Sequence, residues 1–325
     1  MDSVTTEGPG GDLSRFQGSV LDWYQSYARD LPWRRPAVSP WGVLCSELML
    51  QQTPVARVLP VWQEWMSRWP TPADLAASPA GAAVRAWGRL GYPRRALRLH
   101  ACATLIVARH GGQVPAEVGD LRALPGVGDY TAAAVAAFAH RRRTVVLDTN
   151  VRRVLARALG GAARPPTTTP TAAERTATEA LLPDDPAVSA RWCVAVMELG
   201  ALVCTARAPR CASCPVADRC RFLALGRPSG GAAPRTQPYD GTDRQCRGRL
   251  LAVLREAAGP VPRARLDLTW HDPVQRERAL DGLVADGLLE PVDVDAFALP
   301  GTATNRVRER TDAGRSRPGR GPRAR

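Results

Sequence analysis

Two acidic side chains, a glycine turn and a cysteine array are the parts of this 325-residue chain whose types and spacing can do chemistry. In Leu124–Arg157, LPGVGDYTAAAVAAFAHRRRTVVLDTNVRRVLAR, the turn Gly126-Val127-Gly128 precedes Asp148 by a short run. Two glycines one residue apart let the backbone turn with φ > 0 and bring its N–H groups close to a ligand. The start of the next helix, near Tyr130, adds unpaired N–H groups and a partial positive charge that suit an anion. A lone G-x-G is as often an ordinary interhelical turn, but LPGVGDYTA is a far more specific string. Asp148, between the apolar run Thr144–Leu147 and Thr149-Asn150, reads by itself as a helix cap. Beside a gripped phosphate it also reads as a carboxylate that stabilises an oxocarbenium cation, as in glycoside hydrolysis.

Glu47 lies in SELMLQQT, Ser46–Thr53. At helical spacing Glu47 and Gln51 share one face while Leu48 and Leu50 can face a core. A glutamate flanked by Cys45, Leu48 and Met49 is partly desolvated, which raises its pKa and favours a protonated general acid. An exposed glutamate in a first helical turn is the plainer reading of that residue alone. Cys204, Cys211, Cys214 and Cys220 form C-x6-C-x2-C-x5-C. Four thiolates so close can wrap one metal centre, and structural zinc and an iron–sulfur cluster both take four cysteines. Zinc sites usually pair two short knuckles; this array has one, so the spacing favours the cluster. Cys45, Cys102, Cys193 and Cys246 stand singly and are expected to be buried free thiols.

The elements that must position these groups are helical. Apolar residues recur at three- and four-residue spacing in Ser19–Tyr27, Val43–Leu50, Val55–Trp69, Pro79–Trp87, Arg95–His110, Tyr130–Phe138, Asn150–Leu159, Thr171–Leu182 and Ala190–Leu202. Only Thr144–Leu147 resembles a strand. The fold class expected is all-α. Residues 1–12 are expected to be disordered, 226–245 a Gly/Pro/Ser linker, and 301–325 a basic disordered tail. Between them, 246–300 reads as a small separate domain of helices followed by a hairpin, winged-helix-like and expected to add DNA affinity. The 44 basic against 31 acidic residues, net +13, predict a polyanionic partner. No apolar run of about 20 residues predicts a membrane span, and no leader pattern opens the chain, so a cytoplasmic place is expected, at the nucleoid if bacterial. The sequence holds no lysine, so no side-chain amine exists to form a Schiff base.

Taken together, LPWR at Leu31–Arg34, SELMLQQT, LGY at Leu90–Tyr92, LPGVGDYTA, VLDTNVRRVLAR, MELGALVCT and the four cysteines resemble the endonuclease III superfamily of helix–hairpin–helix DNA glycosylases, in its adenine-excising branch. The resemblance runs from about Leu21 to Phe222. It implies a cluster-bearing helical domain, 13–40 with 143–225, against a six-helix domain, 41–142, that carries the hairpin, with double-stranded DNA in the cleft between them. It implies a 4Fe–4S cluster on Cys204, Cys211, Cys214 and Cys220. Adenine mispaired with 8-oxoguanine or guanine would be flipped out of the duplex. Glu47 would protonate the adenine ring, Asp148 would stabilise or trap the sugar cation, Asn150 would orient its neighbours, and Tyr130 would support catalysis. Gln52 and Tyr92 would wedge into the base stack, and Gln51, Thr53, Gly126, Gly128 and Arg34 would join them at the DNA. The enzyme is expected to be a monomer.

Where bifunctional relatives carry a Schiff-base lysine, this chain has Tyr130, so base release without strand cleavage is expected. Two departures stand out. The usual second aromatic after Tyr92 is Pro93, and 246–300 is too short for the large β-rich, Nudix-like domain that often recognises 8-oxoguanine. Two alternatives remain open at this point: a glycosylase for thymine or uracil opposite guanine, and a non-catalytic iron–sulfur DNA-binding protein.

Overall fold

The structure is a computed structural model that describes residues 9–230 and 239–303, with side chains from residue 13. Its elements in chain order are α1 (Pro9–Tyr27), α2 (Pro40–Leu50), α3 (Val55–Arg68), α4 (Pro72–Ala76), α5 (Ala80–Ala86), α6 (Arg94–His110), α7 (Val118–Arg122), α8 (Asp129–His140), α9 (Thr149–Ala158), α10 (Ala172–Glu179), α11 (Pro186–Leu202) and α12 (Arg221–Ala224). After residue 238 come α13 (Asp243–Glu256), β1 (Val261–Pro262), α14 (Arg263–Asp267), α15 (Pro273–Ala285), β2 (Glu290–Asp293) and β3 (Ala296–Ala298). The nine helices expected from apolar periodicity are all present, and the short α4, α7, α12 and α14 join them. Thr144–Leu147 forms no strand; Val146 and Leu147 are buried in the core. The first helix reaches back to Pro9, inside the stretch expected to be disordered. Residues 1–8, 231–238 and 304–325, which include part of the expected linker and most of the expected tail, lie outside the described residues. Among the described residues no helix is long and apolar enough to cross a membrane.

By contact the chain falls into two units, residues 1–51 with 113–235 and residues 52–112 with 236–325. These boundaries differ from the expected 40/41 and 142/143. The cause is α8, whose run Thr131–Ala137 is wholly buried and packs on both α2 and α11, so the hairpin helix belongs with the cluster-bearing helices. Small alanine side chains make that close double packing possible.

The core of the first unit joins Phe16, Val20 and Trp23 of α1 to Ala133, Ala134 and Ala137 of α8, Val151 and Val154 of α9, and Trp192, Val196 and Leu199 of α11. Helix α2 is started by Ser39, whose Oγ accepts from the Gly42 N–H, and by Pro40 in the first turn. In the second unit Trp65 stands edge-on to both Trp69 (4.8 Å) and Trp87 (5.6 Å), within the packing of α3 to α6. The C-terminal module there has three helices and a small antiparallel sheet in the order β1-β3-β2. This adds a helix and an edge strand to the two helices and hairpin expected from the sequence.

Candidate active site and cluster loop

Glu47 is carried by α2, whose residues 41–49 are all buried. Its carboxyl is 6% exposed and accepts a hydrogen bond from the Tyr130 hydroxyl at 3.0 Å. Burial pushes its pKa from 4.5 up to about 7, the negative charge of Asp148 adds to the rise, and the Tyr130 hydrogen bond and the Arg34 charge oppose it. Burial and the Glu47 carboxylate hold the Tyr130 phenol well above its usual value, so it stays a proton-bearing donor. A carboxylic acid half in its protonated form near neutrality therefore faces an ionisable aspartate.

Asp148 fills the capping role that its sequence allowed, and its second oxygen is engaged as well. It caps α9 by accepting from the Val151 N–H at 2.6 Å, and its other oxygen accepts from Asn150 Nδ2 at 2.7 Å. Burial raises its pKa, while those two donors and the Arg153 charge pull it back. Asn150 is in turn held by Arg153, whose guanidinium donates to Asn150 Oδ1 (2.7 Å), to the Gly200 carbonyl (2.6 Å) and to the Cys204 carbonyl (2.7 Å). Gly200 on α11 lets α9 come this near: a Cβ there would sit 2.7 Å from Asn150 Cβ.

Three expected DNA residues, Arg34, Gln51 and Thr53, have protein partners. Arg34 donates to Glu198 at 2.8 Å and stacks over the Tyr24 ring. It is thus part of an ion pair with the buried Glu198 carboxylate. Arg29 binds the same carboxylate with two nitrogens, each at 2.7 Å. Burial would raise the Glu198 pKa, but the two guanidiniums outweigh it and hold the group at about 2. Gln51 donates to Thr131 Oγ1 at 3.3 Å, which ties α2 to the hairpin helix. Thr53 is buried, donates to the Leu90 carbonyl at 3.3 Å and accepts from Arg95 at 2.8 Å. Only one of the paired hairpin glycines has a left-handed backbone: Gly126 has φ +83°, whereas Gly128 is extended and caps α8. A Cβ on exposed Gly128 would meet nothing of the protein, so its open approach is free for a phosphate. Gln52 and Tyr92 stand apart in the second unit, both exposed and both left-handed, at φ +54° and +46°.

The cysteine array closes around one cavity, lined by Cys204, Cys211, Cys214, Cys220, Arg157 and Phe222 among others. Burial lifts the Cys214 thiol to about 11, and the charges of the other three thiols push the same way. Four cysteine sulfurs around a shared space fit a cationic centre, which would bind them as thiolates. Arg157 donates to Cys204 Sγ at 3.4 Å and to the Thr205 carbonyl at 2.7 Å, so the chain supplies a charge-assisted donor to the sulfur. The four single cysteines are buried free thiols, as expected; burial pushes Cys102 and Cys193 up to about 12.

The family model for HhH-GPD superfamily base excision DNA repair proteins matches residues 45–181. The model for the iron–sulfur binding domain of endonuclease III matches residues 204–220. An adenine DNA glycosylase of Mycolicibacterium smegmatis is 53% identical over 283 residues, 87% of this chain and 95% of that protein. The chain belongs to the adenine DNA glycosylase family. Two solved structures share the fold of this adenine DNA glycosylase. A thermostable thymine-DNA glycosylase has a TM-score of 0.61 at 24% identity, covering 67% of this chain and all of that one. An endonuclease III–DNA complex has a TM-score of 0.57 at 22% identity, covering 68% and 99%. As an adenine DNA glycosylase the protein is a DNA-binding enzyme of base excision repair, and a 4Fe–4S cluster is its cofactor, held by the cysteine loop.

Sequence reasoning missed Glu198, Arg29, Arg153 and Gly200. A signal for Glu198 was available: an acid in the middle of the apolar helix Ala190–Leu202 must be paired or functional. Gly200, two residues on, marks the close approach.

Proposed function

We propose that the protein excises adenine paired with 8-oxoguanine or guanine, by hydrolysis at the base–sugar bond and without cutting the strand, and that it acts as a single chain. The pairing of a buried acid poised near pH 7 with a hydrogen-bonded carboxylate carries this reading. Glu47 gives its proton to the flipped adenine ring, which makes the base a neutral leaving group. The bond electrons leave with the base, and the sugar becomes an oxocarbenium cation. Asp148, whose carboxyl oxygens are held by the N–H groups of Val151 and Asn150, stabilises that cation in its ionised form until water adds to it. Tyr130 keeps Glu47 in place and, being a phenol, cannot form an imine with the abasic sugar. With no lysine anywhere in the chain, β-elimination through a side-chain Schiff base has no nucleophile. The acid, the carboxylate and the hairpin all belong to the first unit, so one chain supplies them. Gln52 and Tyr92 enter the base stack where the adenine leaves.

The test is base release from A:8-oxoG, A:G, T:G and U:G duplexes, by the protein and by Asp148→Asn. Release of adenine, fastest opposite 8-oxoguanine and slowed about 100-fold or more by Asp148→Asn, is expected. Release of thymine or uracil in its place, or full activity of the variant, refutes the reading.

A further inference from the structure

The C-terminal module is expected from sequence to add DNA affinity, but its charges do not suit a phosphate surface. Arg263 pairs with Glu277, Arg276 with Asp267 at 3.0 Å, and Arg278 with Asp243 at 2.7 Å. Its β2–β3 hairpin carries Asp293 and Asp295, both exposed. What the module does make is a built seat on α5 and α6, within the second unit.

The seat is reciprocal. Arg85, in the last turn of α5, donates to the Arg255 carbonyl and, at 2.6 Å, to the Ala257 carbonyl, at the C-terminal end of α13. Arg255, in the last turn of α13, donates back to the Val84 carbonyl at 2.9 Å, in the last turn of α5. Last-turn carbonyls have no partner within their own helix, so each guanidinium completes the other helix's end and meets its dipole. Gly81 donates its N–H to the Pro300 carbonyl at 2.7 Å. On the other side, Arg94 at the start of α6 pairs with Asp286 at 3.2 Å.

These contacts pin both ends of one loop, residues 87–93, and that loop carries Tyr92. Inside it, Trp87 Nε1 donates to the Gly91 carbonyl at 2.9 Å, and Arg95 donates to the same carbonyl at 3.0 Å. The Arg95 guanidinium lies 5.1 Å from the Trp87 ring centre and 5.6 Å from that of Tyr92. Tyr92 is held at φ +46°, a conformation an aromatic residue keeps only where its surroundings impose it.

We propose that the C-terminal module is a brace for the Tyr92 loop: it fixes the end of α5 and the start of α6 so that Tyr92 is presented in its strained backbone. Arg85, Arg94 and Arg95 are then positioning residues. The proposal rests on the reading of Tyr92 as the wedge.

Gly81→Ala tests it without weakening α5, because alanine is the better helix former. Its Cβ would lie 2.7 Å from the Pro300 carbonyl oxygen and 2.8 Å from Leu299 Cβ, so the module must lift. Arg85→Gln, which removes half of the reciprocal exchange, is the second variant. Each is combined with Tyr92→Ala in the full chain, with single-turnover adenine excision, the salt dependence of duplex affinity, and amide hydrogen exchange over residues 87–93 as readouts. Both brace variants should speed exchange in that loop and slow excision roughly 2- to 20-fold. They should leave the salt slope unchanged and add nothing further in the Tyr92→Ala background. Unchanged exchange, a reduced salt slope, or a slowing that multiplies with Tyr92→Ala would overturn the brace. Full-rate excision by Tyr92→Ala alone would instead overturn the wedge reading, while the exchange data still judge the brace.

Discussion

Replacing Glu47 by glutamine should abolish excision and at the same time stabilise the protein, but only at higher pH. The carboxyl has its pKa raised from 4.5 to about 7, mainly by burial. A raised carboxyl pKa means that the folded state holds the proton more tightly than the unfolded chain. Folding is therefore unburdened below about pH 4.5, and a cost grows as the pH rises through about 7, where it levels off. The displacement of about 2.5 units corresponds to about 3 kcal/mol once the group is ionised. Glutamine carries no charge to desolvate and still offers an oxygen to the Tyr130 hydroxyl, 3.0 Å away in the parent. Thermal melts of Glu47→Gln and parent at pH 4, 6 and 8 measure the difference. At about 2 °C per kcal/mol for a body of this size, the variant should melt about 6 °C higher at pH 8 and match the parent near pH 4. Parent excision rate should fall over the same range as pH rises through about 7, because the acid form is lost. A melting difference that does not change with pH, or a less stable variant at pH 8, would falsify the desolvated-acid argument.

Glu198→Gln breaks a buried ion pair and leaves Arg29 and Arg34 without their carboxylate. It should destabilise the protein by about 3–5 kcal/mol, read by denaturant unfolding at pH 7. Because the Glu198 pKa is lowered to about 2, the parent's own stability from this pair should hold above pH 4.5 and fade only as the pH drops towards 2. Gly200→Ala puts a methyl 2.7 Å from Asn150 Cβ and should cost about 1–3 kcal/mol. It should also slow excision by shifting Asn150 away from Asp148, with the visible absorbance of the cluster retained.

The helical body was legible because apolar spacing is a local property. Each run from Ser19–Tyr27 to Ala190–Leu202 became a helix, within about four residues of its expected ends except that α1 starts ten residues earlier, at Pro9. Thr144–Leu147 resembles a strand in sequence but forms none, because four residues make a strand only beside a neighbour to pair with. The domain boundaries were not legible, since α8 is bound by α2 and α11, far away in sequence. Arg34 and Thr53 were placed at the DNA by their motifs, yet their partners are Glu198, 164 residues away, and Leu90, 37 residues away.

By itself the sequence determined the chemical inventory: four cysteines at cluster spacing, a glycine turn before a helix, Glu47, Asp148, and no lysine. Residue identity and short spacing are enough for that. Only the tertiary structure decided the protonation of Glu47, because burial by α2 packing and the charges of Asp148 and Arg34 act through space. It alone decided that Asp148 caps α9 while its other oxygen accepts from Asn150, and that Gly200 sets how near α9 comes. Desolvation, fields and close approach are sums over residues that the chain order keeps apart.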